Sequence, residues 1–336
     1  MANMNRQSVV IGLCLVAAIA VIGGVIAYNG GNDNEAQAQR VKSRLKLADI
    51  PFDGAQSMKF LENICAIGGR VSGTPGMAKQ QELLKRHFTE LGGKVSLQSF
   101  RVRHPETGFP VTLANMIVEW HPERQERILL CAHYDTRPFP DRDRQNPRGI
   151  FIGANDGASG VAVLAVLGQQ MADLRGKYGV DFVLFDGEEL VYDSNRDEYF
   201  LGSRYFATEY KNNPPRHRYK YAVLLDMVGD AELHLYQEKH SVRWRDTRPL
   251  TFSIWRKAKE LGVREFIPRS RHEVRDDHLM LHDIAKIPTC DIIDFDYPRP
   301  GRLSYWHTQQ DTPDKCSALS LAKVGWVVSE WLKSVE

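Results

Sequence analysis

The chain has 336 residues, 43% of them hydrophobic and 26% charged, with 44 basic and 42 acidic side chains and a net charge of +2. That length and composition describe a globular chain able to bury one large core or two modest ones. Neither sign of charge gathers in a long block, so the electrostatic footprint of a nucleic-acid-binding protein is missing and that partner is excluded.

In chain order, a short tail (1–8) leads into VVIGLCLVAAIAVIGGVIAY (9–28). An uncharged, mostly apolar run of about 20 residues is long enough to cross a bilayer core as a helix. Arg6 precedes this run and Asp33 and Glu35 follow it, which orients the N-terminus to the cytoplasm and the rest to the periplasm or cell exterior. Ala36-Gln37-Ala38 lies too far downstream for a signal-peptide cleavage site, so an uncleaved membrane anchor is expected. The polar stretch NGGNDNEAQAQ opens a tether (29–50), and a single catalytic domain is expected over 51–336.

Within that domain Phe60, Ile64 and Cys65 share one helical face, and Gly68-Gly69 ends the helix. A helix is predicted over 76–91, stopped by Gly92-Gly93, followed by strands over 94–102, 111–120 and 127–132. Helices over 157–171, 203–211, 250–259 and 318–335 then alternate with strands over 180–185, 221–225 and 289–293. Short apolar strands alternating with helices predict an α/β fold: one domain with a mixed, mostly parallel central sheet flanked by helices. The five cysteines (14, 65, 131, 290, 316) form no CxxC pair, so they are expected as idle thiols and not as a zinc cage.

Chemistry-bearing residues concentrate where the strands end. CAHYDT (131–136), GANDGASG (153–160), FDGEEL (185–190), LLDMVGD (224–230) and YWHTQQDT (305–312) each place acids or a histidine there. Singly, each has an ordinary explanation: Asp156 as a helix cap, Glu188-Glu189 as a solvated helix start, His307 as a surface histidine. Together they bring two histidines and several carboxylates to one sheet edge, the nitrogen and oxygen donors of an open zinc site. Of two adjacent glutamates, one can bind metal while its neighbour moves a proton. His133 is placed to face the metal, with Asp135 positioned to fix its ring.

The order and wording of these motifs, beginning with GGRVSGTPG (68–76), resemble the zinc-dependent aminopeptidase clan of the M28 type, and within it the glutaminyl-peptide cyclotransferases. The resemblance implies Asp156, Glu189 and His307 as zinc ligands and Glu188 as general acid/base. It further implies that His133 and Asp226 hold a second zinc in the two-metal aminopeptidases, so the count is one ion or two. Asp276 stands where the peptidases usually carry a serine, and Trp306 where they tend to carry a tyrosine. Both tilt the resemblance toward the cyclases, with Asp226 and Asp276 networked to Glu188 and Trp306 lining the substrate pocket. The implied substrate is a peptide or protein N-terminus. Two alternatives stand beside cyclisation: hydrolysis by a di-zinc aminopeptidase, and a noncatalytic anchored binding module, which predicts a broken site. After the double glutamate, LVYDSNRDEYF (190–200) lacks the tryptophan of the animal cyclases and offers Tyr192 as the nearest aromatic.

Overall fold

A computed structural model of the protein describes residues 42–299 and 301–335. The expected anchor at 9–28 lies outside them, and no helix among the described residues is long and apolar enough to cross a membrane. The chain divides into two units, Met1–Arg44 and Leu45–Glu336, and the second carries every element described below. It begins at Leu45 because Leu45 and Ile50 already pack on the core.

The second unit is built on a six-stranded sheet. Its strands are β1 (Lys94–Arg103), β2 (Pro110–Trp120), β3 (Glu126–His133), β4 (Gly179–Phe185), β5 (Arg218–Asp226) and β8 (Thr289–Ile293), in the spatial order β1-β2-β4-β3-β5-β8. β1, β2 and β4 pair antiparallel, whereas β4, β3, β5 and β8 run parallel. The mixed, mostly parallel sheet read from the alternation of elements is therefore present. β4 and β8 are buried along their whole length, as strands covered on both faces must be, while the edge strand β1 is largely exposed or half-buried. Two short strands, β6 (Leu235–Gln237) and β7 (Phe266–Ser270), pair separately.

One face of the sheet is covered by α1 (Gly54–Cys65), α2 (Pro75–Glu90), α3 (Ser159–Leu167) and α8 (Ala318–Lys333). α3 is buried at every position, which explains why its sequence is apolar all round. Leu61, Leu84, Leu164, Val324 and Val328 of this layer belong to one cluster with Ile128, Leu130 and Phe182 of the sheet. α4 (Leu201–Asn212) and α7 (Asp277–Asp283) cover the opposite face, where Phe206 and Leu281 meet Leu129, Val183 and Leu224. α5 (Lys239–Arg243) and α6 (Arg248–Glu260) complete the fold.

The helix predicted over 157–171 begins two residues later and passes into a 3-10 turn at Gly168–Gln170. Its expected first turn is used instead as a tight loop: Gly157 adopts φ +93°, and a Cβ there would lie 2.6 Å from the Asp135 carbonyl oxygen and 3.1 Å from the His133 ring. Cys65, Cys131, Cys290 and Cys316 are buried free thiols, as expected.

Candidate active site

The parallel strands end along one edge, and the loops that leave it carry the predicted residues. His133 ends β3, Asp226 ends β5, Glu188 and Glu189 follow β4, Asp156 precedes α3, and His307 lies in the loop before α8. Folding brings all six together. His307 Nε2 is 2.8 Å from Glu189 Oε1 and 3.5 Å from Asp156 Oδ2. His133 Nε2 is 3.2 Å from both Asp156 Oδ1 and Asp226 Oδ1. Asp156 thus belongs to two groupings, Asp156–Glu189–His307 and His133–Asp156–Asp226, in each of which the donor atoms lie within 4.8 Å of one another.

These donors fit a metal. Donors bonded to one tetrahedral zinc at roughly 2 Å sit about 3 Å apart, comparable with the separations seen here. Asp156 Oδ2 and Glu189 Oε2 are buried without a hydrogen-bond partner, and a buried carboxylate oxygen left without one is costly unless a cation meets it.

Several residues hold the donors in place. Asp135 accepts hydrogen bonds from the backbone N–H groups of Glu188 (3.2 Å) and Glu189 (3.0 Å). Its Oδ1 also stands 3.7 Å from His133 Nδ1, so the acid expected beside that ring is there and anchors the double-glutamate turn as well. Arg70 of the GGRVSGTPG stretch is fully buried and donates to the carbonyls of Ile152 (2.6 Å) and Gly153 (2.9 Å), while its backbone N–H meets Thr136 Oγ1 at 2.8 Å. It ties the Asp156 loop to the loop that follows His133.

Sequence reasoning left two such supports unassigned, although Asp311 lies within YWHTQQDT and Arg137 directly follows CAHYDT. Asp311 accepts from the backbone N–H groups of Asn155 (2.8 Å) and Asp156 (3.1 Å) and from the Tyr297 hydroxyl (2.8 Å). Arg137 donates to Glu189 Oε1 (3.1 Å) and grips both oxygens of Asp141 (2.9 and 3.0 Å), whose Oδ1 is 3.4 Å from His307 Nδ1. His307 itself (φ 57°) and Met227 (φ 48°), which follows Asp226, occupy the left-handed region. Such backbone strain, of order 1–3 kcal/mol per residue, persists only where the surroundings over-determine it and gathers at functional sites.

The electrostatics separate the two glutamates. Burial and the Glu189 carboxylate push the Glu188 carboxyl well above its ordinary range. Burial also opposes ionisation of Glu189, but His307 and Arg137 outweigh it and bring the group down to about 2. Glu189 is therefore a standing anion suited to a cation, and Glu188 a carboxyl that holds a proton more tightly than its neighbour. Burial and Glu189 raise Asp156 to about 6, whereas the carboxylates around His133 overcome burial and raise that imidazole well above its ordinary value.

A cleft of about 320 Å³ opens over this cluster, with Glu188, Asp226, Asp276, Phe295 and Trp306 among its lining residues. Asp276 is 3% exposed and caps α7, with Oδ1 accepting from the Asp277 N–H at 2.6 Å and Oδ2 buried without a partner. Burial and Asp226 raise its carboxyl well above the usual range. Behind it, buried His278 stands between Asp291 (3.6 Å) and Glu238 (3.5 Å). Tyr192 does not line the cleft; its hydroxyl is 3.1 Å from His104 Nε2. Tyr199 and Phe200, later in the same insertion, stand in the wall instead.

Residues 115–332 match Peptidase family M28. The chain belongs to that family. It is 25% identical over 290 residues to the glutaminyl-peptide cyclotransferase of Bothrops jararaca, covering 76% of this chain and 75% of that one. The crystal structure of Fimbriiglobus ruber glutaminyl cyclase superposes with a TM-score of 0.80 at 38% identity, covering 88% of this chain and 98% of that one. A Zn-dependent exopeptidase from Parabacteroides distasonis superposes with a TM-score of 0.77 at 29% identity, covering 84% and 99%. Membership of the family, with every candidate donor and Glu188 in place, sets aside the noncatalytic module and its broken site.

Proposed function

We propose that this M28 enzyme is a zinc-dependent glutaminyl-peptide cyclotransferase, converting N-terminal glutamine to pyroglutamate with release of ammonia. The observation that carries the reading is the juxtaposition, in one cleft, of Glu188 with a second buried acid, Asp276, beside a half-buried indole, Trp306. Likeness to the Bothrops and Fimbriiglobus cyclases supports it.

Asp156, Glu189 and His307 would hold one zinc ion. When bound, zinc supplies Lewis-acid polarisation of a carbonyl oxygen. The chain's own residues do the rest. Trp306 and Phe295, in edge-to-face contact at 5.1 Å, form an apolar wall suited to the methylenes of a glutamine side chain folded toward its own amine. The α-nitrogen attacks the γ-carbonyl carbon, a C–N bond forms, and the bond to the amide nitrogen breaks. Glu188 takes the proton lost by the attacking nitrogen and delivers it to the departing nitrogen, which leaves as ammonia. No water is consumed. Burial and the Glu189 carboxylate, with Asp276 adding to them, would hold the proton affinity of Glu188 high, since neighbouring carboxylates resist joint ionisation.

A second reading has its own observation: His133, Asp156 and Asp226 form an intact second donor set, the arrangement of a di-zinc site that generates hydroxide and hydrolyses a peptide bond. Cyclisation needs only the ion held by Asp156, Glu189 and His307, whereas hydrolysis of this kind needs both donor sets filled. Purified protein given a Gln-initiated and a Leu-initiated peptide decides between them. Cyclisation lowers the first peptide's mass by ammonia and leaves the second intact; release of a free amino acid from either rejects the cyclase reading. Metal analysis alongside is expected to return one zinc per chain.

A further inference from the structure

A substrate bound as proposed fills the floor of the cleft with its first residue, so its second and third residues leave past the rim. Four charged side chains stand there: Asp141, Arg142, Glu273 and Arg275. The two acids are already engaged. Asp141 is gripped by Arg137 through both oxygens, and Glu273 Oε2 is 2.7 Å from Arg243 Nη2. The two arginines are placed differently. Both are exposed, and among the described residues neither has a carboxylate within ion-pair distance. The Arg142 guanidinium lies over the Trp306 ring at 4.0 Å, and that of Arg275 lies 6.0 Å from the Tyr199 ring centre. An aromatic face orients a guanidinium while leaving its N–H edge free to donate, in the planar fork that matches a carboxylate.

Both arginines are also fixed by their backbone to the reacting end of the cleft. The Arg142 N–H donates to the His307 carbonyl at 3.1 Å, and Arg275 directly precedes Asp276. Their separation from the floor is therefore set by the site itself and not by a wandering loop.

We infer that Arg142 and Arg275 make the enzyme selective for glutamine-initiated peptides that carry an acidic residue at the second or third position. This inference rests on the cyclase reading and names the substrate class of the same site. The carboxylates of the floor act on the α-amine, which every N-terminal substrate shares, so they do not distinguish one peptide from another. The rim does.

Three peptides that differ only at the second residue, Gln-Glu, Gln-Ala and Gln-Lys, test this through kcat/KM for ammonia release at low ionic strength. The expected order is Glu above Ala above Lys. Two partly exposed charge contacts give a Glu-to-Lys ratio of roughly tenfold. Raising the salt concentration is expected to shrink that ratio in the unaltered enzyme. The double substitution R142E/R275E is expected to reverse the order. Ammonia release from all three with a ratio within about twofold, or with Lys preferred, overturns the selectivity and leaves cyclisation standing. Absence of ammonia from all three overturns the cyclase reading and the selectivity together.

Discussion

The sheet carries buried charge at both of its ends, and the two ends are built on opposite terms. At the amino edge of the parallel strands, Arg127 on β3 and Asp181 on β4 form an ion pair that is 1% exposed on both sides. Arg127 donates further to the carbonyls of His121 (2.8 Å), Trp120 (2.9 Å), Arg124 (3.1 Å) and Val180 (3.1 Å), and Tyr219 donates to Asp181 at 2.5 Å. Every charge there has its partner. At the carboxyl edge, Asp156, Glu189 and Asp276 each keep a buried oxygen without one. A satisfied buried pair specifies structure, whereas buried acceptors left over on one sheet edge are places held for a cation, a proton or a substrate.

If that contrast holds, variants at the two ends should fail in different ways. The largest effect on chemistry is expected from Glu188→Gln, which keeps the shape but cannot carry the proton. Turnover should fall by about two to four orders of magnitude, with zinc content and melting temperature retained. Steady-state ammonia release and metal analysis check it, and unchanged turnover would reject the acid/base role. At the other end, Arg127→Met leaves Asp181 buried without its partner. Chemical denaturation should then register a loss of about 3–5 kcal/mol, with kcat unchanged in the protein that remains folded. A fall in kcat at constant stability would erase the distinction between the two ends.

The same contrast explains what the sequence could disclose. The core strand β4 was legible because Asp181 alone interrupts its apolar run, and the long helices because glycines punctuate them. The five donor positions and Glu188 were legible because they lie where strands end or helices begin, in motifs whose order identifies the family. Arg137, Asp141 and Asp311 were not: their value lies in contacts across 52, 166 and 155 positions of sequence separation, namely Arg137 with Glu189, Asp141 with His307, and Asp311 with Asp156. Asp135 shows the same limit. Its two-residue spacing from His133 suggested a partner for the ring, but nothing in that spacing showed that it also accepts from the backbone of Glu188 and Glu189. Short elements such as α5 and β6 are too brief to show a period at all.

A smaller effect sharpens the comparison by touching a support and not a donor. Asp311→Asn turns one of the two carboxylate oxygens that hold the Asp156 loop into a donor facing an N–H. Zinc affinity should fall by about 10- to 100-fold, measured by competition with a chelator, while the folded metal-free protein keeps its stability within about 1 kcal/mol. Equal zinc affinity would show that the Asp156 loop is held well enough by Arg70 alone.

The smallest effect is expected at the carboxyl end, in the group behind Asp276. Glu238 accepts from the N–H groups of His240 (2.9 Å), Ser241 (2.7 Å) and Val274 (3.2 Å) and faces His278. Burial opposes its ionisation, but His278 and those N–H groups prevail and bring its carboxyl down to about 2. A carboxyl depressed in the folded state stabilises the fold fully above its unfolded value near 4.5, and that stabilisation is lost as the pH falls toward about 2. Glu238→Gln should therefore cost about 1–3 kcal/mol at neutral pH and progressively less below pH 4.5, because the unaltered protein loses the same contribution on protonation. Urea denaturation of both proteins across that range measures the gap. A gap that stays constant with pH would mean that Glu238 acts through packing alone, and would move it from the responsive end of the sheet to the company of Arg127 and Asp181.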